Sequence, residues 1–212
     1  MKHVPHLVVG APWDGHDLEL SVVQWRHVNK VLRLGRGDPV TYTDGLGRRG
    51  TGKLGHQNIE RGVEEDVPRP TMLTMAVAPP ANKDRQRYLV EKLAELGVAH
   101  LVWLRTQHGE ARVANAAKVF SWVLSATEQS RGAWLMEVSN EPVGIGDLVG
   151  TLVFCDQGGD SEPGDADVIV VGPEGGFAAG EIPEGATRWD LGPTILRVET
   201  AAVVAAAQMR HK

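Results

Sequence analysis

A glycine turn that directly follows an apolar run is the feature of this sequence best suited to chemistry. The β-branched run Val168–Val171 leads into Gly172-Pro-Glu-Gly-Gly-Phe177. Such a run predicts a buried central strand, and ligands of open α/β sheets bind at the carboxyl ends of strands. Glycines lack Cβ, so the backbone there can approach a flat ligand closely. The glycine pattern alone is also compatible with a tight strand-to-helix turn that binds nothing.

The residues around this turn restrict the class of ligand. Pro173 removes a backbone donor, Glu174 adds a negative charge, and no Lys-Ser/Thr pair follows the glycines. A phosphate-binding loop needs the opposite features. The turn therefore disfavours phosphates and is compatible with an adenosine that carries a positive centre, such as the sulfonium S-adenosylmethionine.

A second glycine turn lies between Asp190 and Thr200. It follows a short predicted strand, Thr187 to Asp190, and leads into an Ala- and Val-rich stretch from Val198 to Met209 that predicts a buried helix. The leucines of this turn are suited to the wall of an apolar pocket. The alternative is a capped helix start without a ligand.

The elements that must position these turns divide the chain into two parts. To about Val67 the sequence has glycine turns between short Val, Tyr and Thr runs, typical of β-hairpins. The acidic, proline-containing stretch 64–70 is interpreted as a linker. Beyond it, strands alternate with helices, which predicts an α/β fold with a largely parallel sheet. A short basic helix is expected within residues 24–38. Longer helices are expected over 84–96, with Asn82 as the cap, and from about 110 to 129, and the apolar run 133–138 is expected to form a strand.

The composition of the chain excludes several classes of protein. The chain has 212 residues, 42% hydrophobic and 23% charged, and one cysteine, which rules out a disulfide scaffold and a Cys-rich zinc site. No apolar stretch is long enough to span a bilayer, and we expect a cytoplasmic protein. Metal binding by His3, His6 and His16 is possible but disfavoured, because no Cys partner or helical spacing accompanies them.

Charge is distributed unevenly. The net charge is −5, yet residues 21–61 contain eight basic and three acidic side chains, a balance of +5. Such a segment can bind a polyanion locally, although a merely solvated charged face is an equal alternative. The predicted polyanion-binding side chains, called the basic segment below, are Arg26, Lys30, Arg33 and Arg36.

Taken together, the two turns resemble the paired signature of the bacterial 16S rRNA (uracil-N3)-methyltransferase family of the SPOUT superfamily. The residues concerned are GPEGGF at 172–177 and LGPTILRVETA at 191–201, and residues 26–38, 92–98 and 126–131 match further family segments in the same order. The resemblance implies a PUA-like RNA-binding β-barrel over 1–68 and a SPOUT methyltransferase domain with a trefoil knot over 69–212. It also implies a homodimer that uses S-adenosyl-L-methionine and acts on 16S rRNA or the small ribosomal subunit.

Residue roles follow from the same resemblance. The implied cofactor-binding residues are Phe154, Gly172, Pro173, Glu174, Gly175, Gly176, Phe177, Leu191, Gly192, Ile195 and Leu196. Arg197 and Glu199 would support the knot and the cofactor pocket. The sequence departs from the family pattern at Thr106–Gly109, where an arginine of the family is missing, and at Pro79–Lys83.

Methylation of uracil N3 requires loss of the imide proton or stabilisation of the resulting negative charge. We predict Arg131 or Arg197 for charge stabilisation and Glu199 or His108 as the base; no spacing forces one choice, and Arg131 can equally be a surface residue. The missing arginine leaves a second hypothesis open, a degenerate relative that binds RNA without methylating it. A nucleotide-phosphate enzyme is a third class, disfavoured by the absent lysine.

Overall fold

A computed structural model describes residues 4–109, 112–160 and 162–209. These residues form two compact units. The first contains the described residues up to Arg69 together with Thr127–Leu135, and the second contains those of Pro70–Ala126 and from Met136 onwards. The return of Thr127–Leu135 to the first unit is not apparent from the sequence.

A five-stranded sheet in the order β1-β3-β4-β5-β2 forms the first unit. The strands are β1 (His6–Val8), β2 (Asp17–Glu19), β3 (Pro39–Thr43), β4 (Arg48–Leu54) and β5 (Asn58–Asp66). Only the pairing of β1 with β3 is parallel. Between β2 and β3 lie the helix α1 (Val22–Arg26) and a π-helical turn (His27–Val31). The predicted hairpins and short basic helix are therefore present.

The predicted linker is partly wrong, because Glu64 to Asp66 belong to β5. Glu64 is fixed there by the buried Tyr42, whose hydroxyl donates to Oε1 at 2.9 Å, and by Arg61, which donates to both carboxylate oxygens at 2.7 and 2.8 Å. These hydrogen bonds, chiefly the one from Arg61, lower the pKa of Glu64. Burial, followed by the Glu64 contact, raises the pKa of Tyr42 to about 12.

Six strands form the sheet of the second unit, in the order β11-β9-β10-β6-β7-β8, and every pairing in it is parallel. The strands are β6 (Thr74–Val77), β7 (His100–Trp103), β8 (Glu137–Val138), β9 (Leu152–Asp160), β10 (Val168–Val171) and β11 (Thr187–Trp189). The helices are α2 (Lys83–Glu95), α3 (Ala116–Ser130) and α4 (Val198–Met209). This confirms the predicted α/β class and the interior position of β10, whose four residues are all buried.

Local boundaries differ from prediction in two places. Strand β8 has two residues instead of the apolar run from Ala133, because Leu135 donates its N–H to Gly45 and Ala133 accepts from Gly47 within the first unit. Helix α3 begins at Ala116 instead of near 110, and residues 110 and 111 lie outside the described residues. Helix α2 begins as predicted, with Asn82 accepting from the Asp84 N–H at 2.7 Å.

The order of the strands determines where the two glycine turns lie on the sheet edge. The chain builds β6, β7 and β8 outward in one direction, and β9, β10 and β11 lie on the other side of β6. At such a reversal the connections leave opposite faces of the sheet, so a crevice opens beyond the carboxyl ends of the strands. Both glycine turns follow strands on the β9–β11 side.

Candidate active site

A cavity of about 300 Å³ lies at the carboxyl ends of β9, β10 and β11 and against the start of α4. Residues of both glycine turns line it, although the turns are about twenty positions apart in the chain. The lining residues are Cys155–Gln157, Val171–Phe177, Trp189–Gly192, Thr194–Leu196, Val198 and Ala201.

Close packing fixes the first turn. The N–H of Gly176 donates to the Pro173 carbonyl at 2.9 Å, and Gly176 has φ of 71°, a conformation that favours glycine. A Cβ on Gly172 would lie 2.8 Å from the Phe177 ring. Phe177 in turn packs edge to face on Phe154, with ring centroids 5.6 Å apart. The backbone therefore forms one wall of the cavity against a rigid aromatic pair.

A carboxylate fixes the second turn. Asp190 accepts the Gly192 N–H at 2.9 Å through Oδ1 and the Gly158 N–H at 3.0 Å through Oδ2. Asp190 therefore ties the end of β11 to β9, and these two backbone hydrogen bonds lower its pKa. Gly192 has φ of 127°, which a residue with a Cβ rarely adopts.

The charges of the cavity favour a cationic ligand. Three carboxylates line it, those of Asp156, Glu174 and Asp190, and no lysine or arginine is among the lining residues that the structure describes. From outside the lining, Arg188 forms an ion pair with Asp156, and Arg85 lies 3.7 Å from Glu174. A nucleoside with a positive centre fits this surface, whereas a triphosphate would meet carboxylates and no basic side chain among the described lining residues.

Ten of the eleven predicted cofactor-binding residues line the cavity. The exception, Phe154, is fully buried and lies behind the wall, where it supports Phe177. Neighbouring strand residues point to opposite faces, so Cys155 faces the cavity instead. Sequence analysis missed Trp189, Thr194 and Ala201 in the lining; only their positions beside the glycine turns could have signalled them.

Burial raises the pKa of the Cys155 thiol to about 12. The thiol is therefore protonated at neutral pH, and a thiol nucleophile is not available in this cavity.

None of the predicted catalytic residues Arg131, Arg197 and Glu199 is part of the cavity lining. Arg131 belongs to the first unit, where its Nη2 donates to the Val4 carbonyl at 2.9 Å. Arg197 is exposed, immediately before α4. Glu199 is buried and faces Arg85 of α2, with 3.6 Å between its Oε1 and the arginine Nε.

The alternative base, His108, lies at the first turn. Its Nδ1 is 3.1 Å from the Gly176 carbonyl oxygen, so this nitrogen is the donor in a neutral ring. Within the second unit, the structure therefore brings His108 to the glycine turn and Glu199 close to it through Arg85.

All four side chains of the basic segment are exposed, on or just after α1 and the π-helical turn. None of them forms an ion pair within the described residues. Arg36 has a 3.4 Å contact to His56. Four cations without carboxylate partners on one short segment form a surface suited to a polyanion.

Among the described residues, no three His, Cys, Asp or Glu side chains are grouped so that they could hold a metal ion. His6 is buried and contacts the Thr41 hydroxyl at 2.8 Å and the Gly132 carbonyl at 3.1 Å, whereas His16 is exposed. His3 lies outside the described residues. No helix of the described residues has the length and apolarity needed to cross a membrane.

Comparison with known proteins identifies the class. Residues 67–210 match the family model described as RNA methyltransferase domain, and the chain belongs to this family. Its relatives include the ribosomal RNA small subunit methyltransferase E of Rickettsia conorii, 27% identical over 93% of this chain and 87% of that protein.

Solved structures of similar proteins match the fold of this chain over 99% of its length. A ribosomal RNA small subunit methyltransferase E from Neisseria gonorrhoeae, bound to S-adenosylmethionine, matches with a TM-score of 0.80 and 27% identity, covering 99% of this chain and 98% of that one. A protein from Legionella pneumophila, also solved with bound S-adenosylmethionine, gives a TM-score of 0.82 at 25% identity with the same coverage.

Proposed function

We propose that the chain is an S-adenosylmethionine-dependent methyltransferase that methylates uridine N3 in 16S rRNA. The observation that carries the proposal is the cavity at the carboxyl edge of the sheet, lined by both glycine turns and by carboxylates without a basic side chain. The names of the relatives from R. conorii and N. gonorrhoeae support the ribosomal RNA target.

The cavity fits the donor by its chemistry. Backbone groups of the two turns would bind the adenine, apolar side chains such as Leu191 and Leu196 would cover the nucleoside, and Glu174 would face the positive centre. Bound S-adenosylmethionine would supply a methyl group activated by its sulfonium. The chain's own contribution is then to orient the acceptor nitrogen in line with that methyl group.

The domain architecture and the oligomeric state are part of the same proposal. We propose that residues 1–68 form a PUA-like RNA-binding barrel, that 69–212 form a SPOUT domain with a trefoil knot, and that the protein acts as a cytoplasmic homodimer. The exposed Ile195 at the cavity, 84% accessible, is compatible with a second protein or RNA surface completing the pocket. The basic segment would contact phosphates and position the RNA without reading its sequence.

The decisive experiment measures transfer of a labelled methyl group from S-adenosylmethionine to small-subunit rRNA, and maps the product by reverse transcription, which a methyl group on N3 stops because it blocks base pairing. We expect label at a single uridine. Donor binding without any transfer would favour the degenerate RNA-binding relative, and displacement of the donor by ATP would favour a nucleotide-phosphate enzyme.

A further inference from the structure

A second group of polar side chains lies near the first glycine turn, and its members Arg85, Glu199 and His108 are not among the residues that line the cavity described above. Arg85 of α2 lies between two carboxylates: its Nη1 is 3.7 Å from Oε1 of Glu174, in the turn, and its Nε is 3.6 Å from Oε1 of Glu199, in α4. The Arg85 side chain is 36% exposed.

Arg85 has unused hydrogen-bonding capacity. It donates no hydrogen bond within the described residues, and both ion pairs are longer than a hydrogen bond. An arginine carries five N–H donors in a rigid fork, and pairs of this length near the surface contribute little stability. Oε2 of Glu199 is buried and also lacks a partner among the described residues. The guanidinium therefore lies near two carboxylates while its donors remain available to a ligand.

The loop after β7 borders the same side of the turn. His108 contacts the Gly176 carbonyl, and the Gln107 N–H donates to Oε1 of Glu181 at 2.8 Å, whose Oε2 accepts from Ala178 at 2.9 Å. Glu181 therefore ties this loop to the segment that follows the glycine turn. Thr106, in the same loop, has a buried hydroxyl without a partner among the described residues.

Sheet order explains why these residues meet. Strands β10, β6 and β7 are neighbours, and the glycine turn, the connection to α2 and the His108 loop follow their respective carboxyl ends. The donor cavity lies toward β9 and β11. The glycine turn thus borders two adjoining regions of one sheet edge, an acidic cavity and a cluster with a cation and unpartnered polar atoms.

We propose that the acceptor base binds on the β6–β7 side of the turn and that Arg85 donates hydrogen bonds to its carbonyl oxygen. This inference rests on the proposed function. When the imide proton of N3 leaves to water, negative charge spreads onto the base oxygens, and Arg85 stabilises it. The nitrogen electron pair then forms the N–C bond, and the pair of the breaking C–S bond stays on sulfur, which becomes a neutral thioether.

Arg85→Gln tests the proposal, with Arg87→Gln as the matched control. Arg87 is on the same helix and 56% exposed, and it pairs with Glu91 instead of residues at the turn. Both variants lose one positive charge. Arg85→Lys keeps the charge without the fork and is expected to fall between Arg85→Gln and wild type.

Three quantities are measured for each variant: the Kd for S-adenosylhomocysteine, the Kd of the S-adenosylhomocysteine-loaded protein for a small-subunit rRNA fragment, and the methyl-transfer rate against pH. For Arg85→Gln we expect a donor Kd within about twofold of wild type, an RNA Kd raised about tenfold and a rate lowered about 100-fold at neutral pH. The rate deficit shrinks as the pH rises, because the imide then ionises without the cation. Arg87→Gln behaves as wild type.

Two results overturn the proposal. One is an Arg85→Gln rate and RNA Kd equal to those of Arg87→Gln; the other is a donor Kd that worsens in proportion to the rate, with no recovery at high pH, which would make Arg85 only a support for the turn. If wild-type protein transfers no methyl group at all, the proposed function fails, and the RNA Kd of Arg85→Gln still decides whether Arg85 contacts the RNA.

Discussion

Replacing Gly172 by alanine tests whether the wall of the cavity can move. An added Cβ would lie 2.8 to 3.2 Å from three carbons of the Phe177 ring. Phe177 cannot retreat freely, because it packs on the fully buried Phe154. Overpacking of this kind costs about 1–3 kcal/mol. If the strain is borne by the turn, the Kd for S-adenosylhomocysteine rises about 5- to 150-fold.

The assay is calorimetric titration of Gly172→Ala with S-adenosylhomocysteine, accompanied by a denaturant melt. Gly146→Ala is the control, since a Cβ there would meet no atom within 4 Å and its φ is not positive; we expect its affinity to equal that of wild type. A Gly172→Ala protein that is folded and binds the ligand as tightly as wild type would refute the assignment of this wall to the donor.

Further predictions concern stability, reactivity and RNA binding. Glu64→Gln leaves Arg61 and Tyr42 with a weaker acceptor, and we expect a loss of about 1–3 kcal/mol in the free energy of unfolding, measured by denaturant titration; an unchanged value would contradict the role of this network. Because the folded-state pKa of Glu64 is lowered, its contribution is present above the unfolded-state pKa and is lost as the pH falls through the lower folded value, so the wild-type and Glu64→Gln unfolding curves should converge in acid. Cys155 should react slowly with a thiol reagent at neutral pH in the native protein and rapidly after denaturation, since its pKa is raised to about 12; equal rates would show that the thiol is not protected. Changing the basic segment to glutamines should weaken RNA binding and flatten its salt dependence without altering the donor Kd, and an unchanged salt slope would place the RNA surface elsewhere.

Local sequence patterns correctly predicted two kinds of element: those fixed by contacts between residues close in the chain, and strands whose residues are buried on both faces of the sheet. The run Val168–Val171 is apolar on both faces, as a central parallel strand must be, and Asn82 provides the expected cap of α2. Patterns failed where distant contacts decide. The apolar pattern around Ala133 and Leu135 favours a strand. In the structure, however, Ala133 accepts from the Gly47 N–H and Leu135 donates to the Gly45 carbonyl. Pairing between residues so far apart in the chain cannot be predicted from a local pattern.

The site residues also differ in whether local sequence or distant contacts determine their positions. Both turns were predictable because glycine and proline directly after a predicted strand indicate a turn there, and the structure brings the two turns together around one cavity. The structure places Phe154 behind the cavity wall, because a run of apolar residues does not show which alternate side chain faces the cavity. Arg85 was not predicted, since its relation to Glu174 and Glu199 depends on how α2 packs against α4.

Titration of the wild-type protein with S-adenosylhomocysteine, alone and in the presence of excess ATP, tests the nature of the cavity most directly. We expect one saturable site whose affinity ATP does not change, because the lining offers carboxylates and apolar walls but no basic side chain among the described residues. Absence of binding, or displacement of the ligand by ATP, would contradict the assignment of this cavity to a methyl donor.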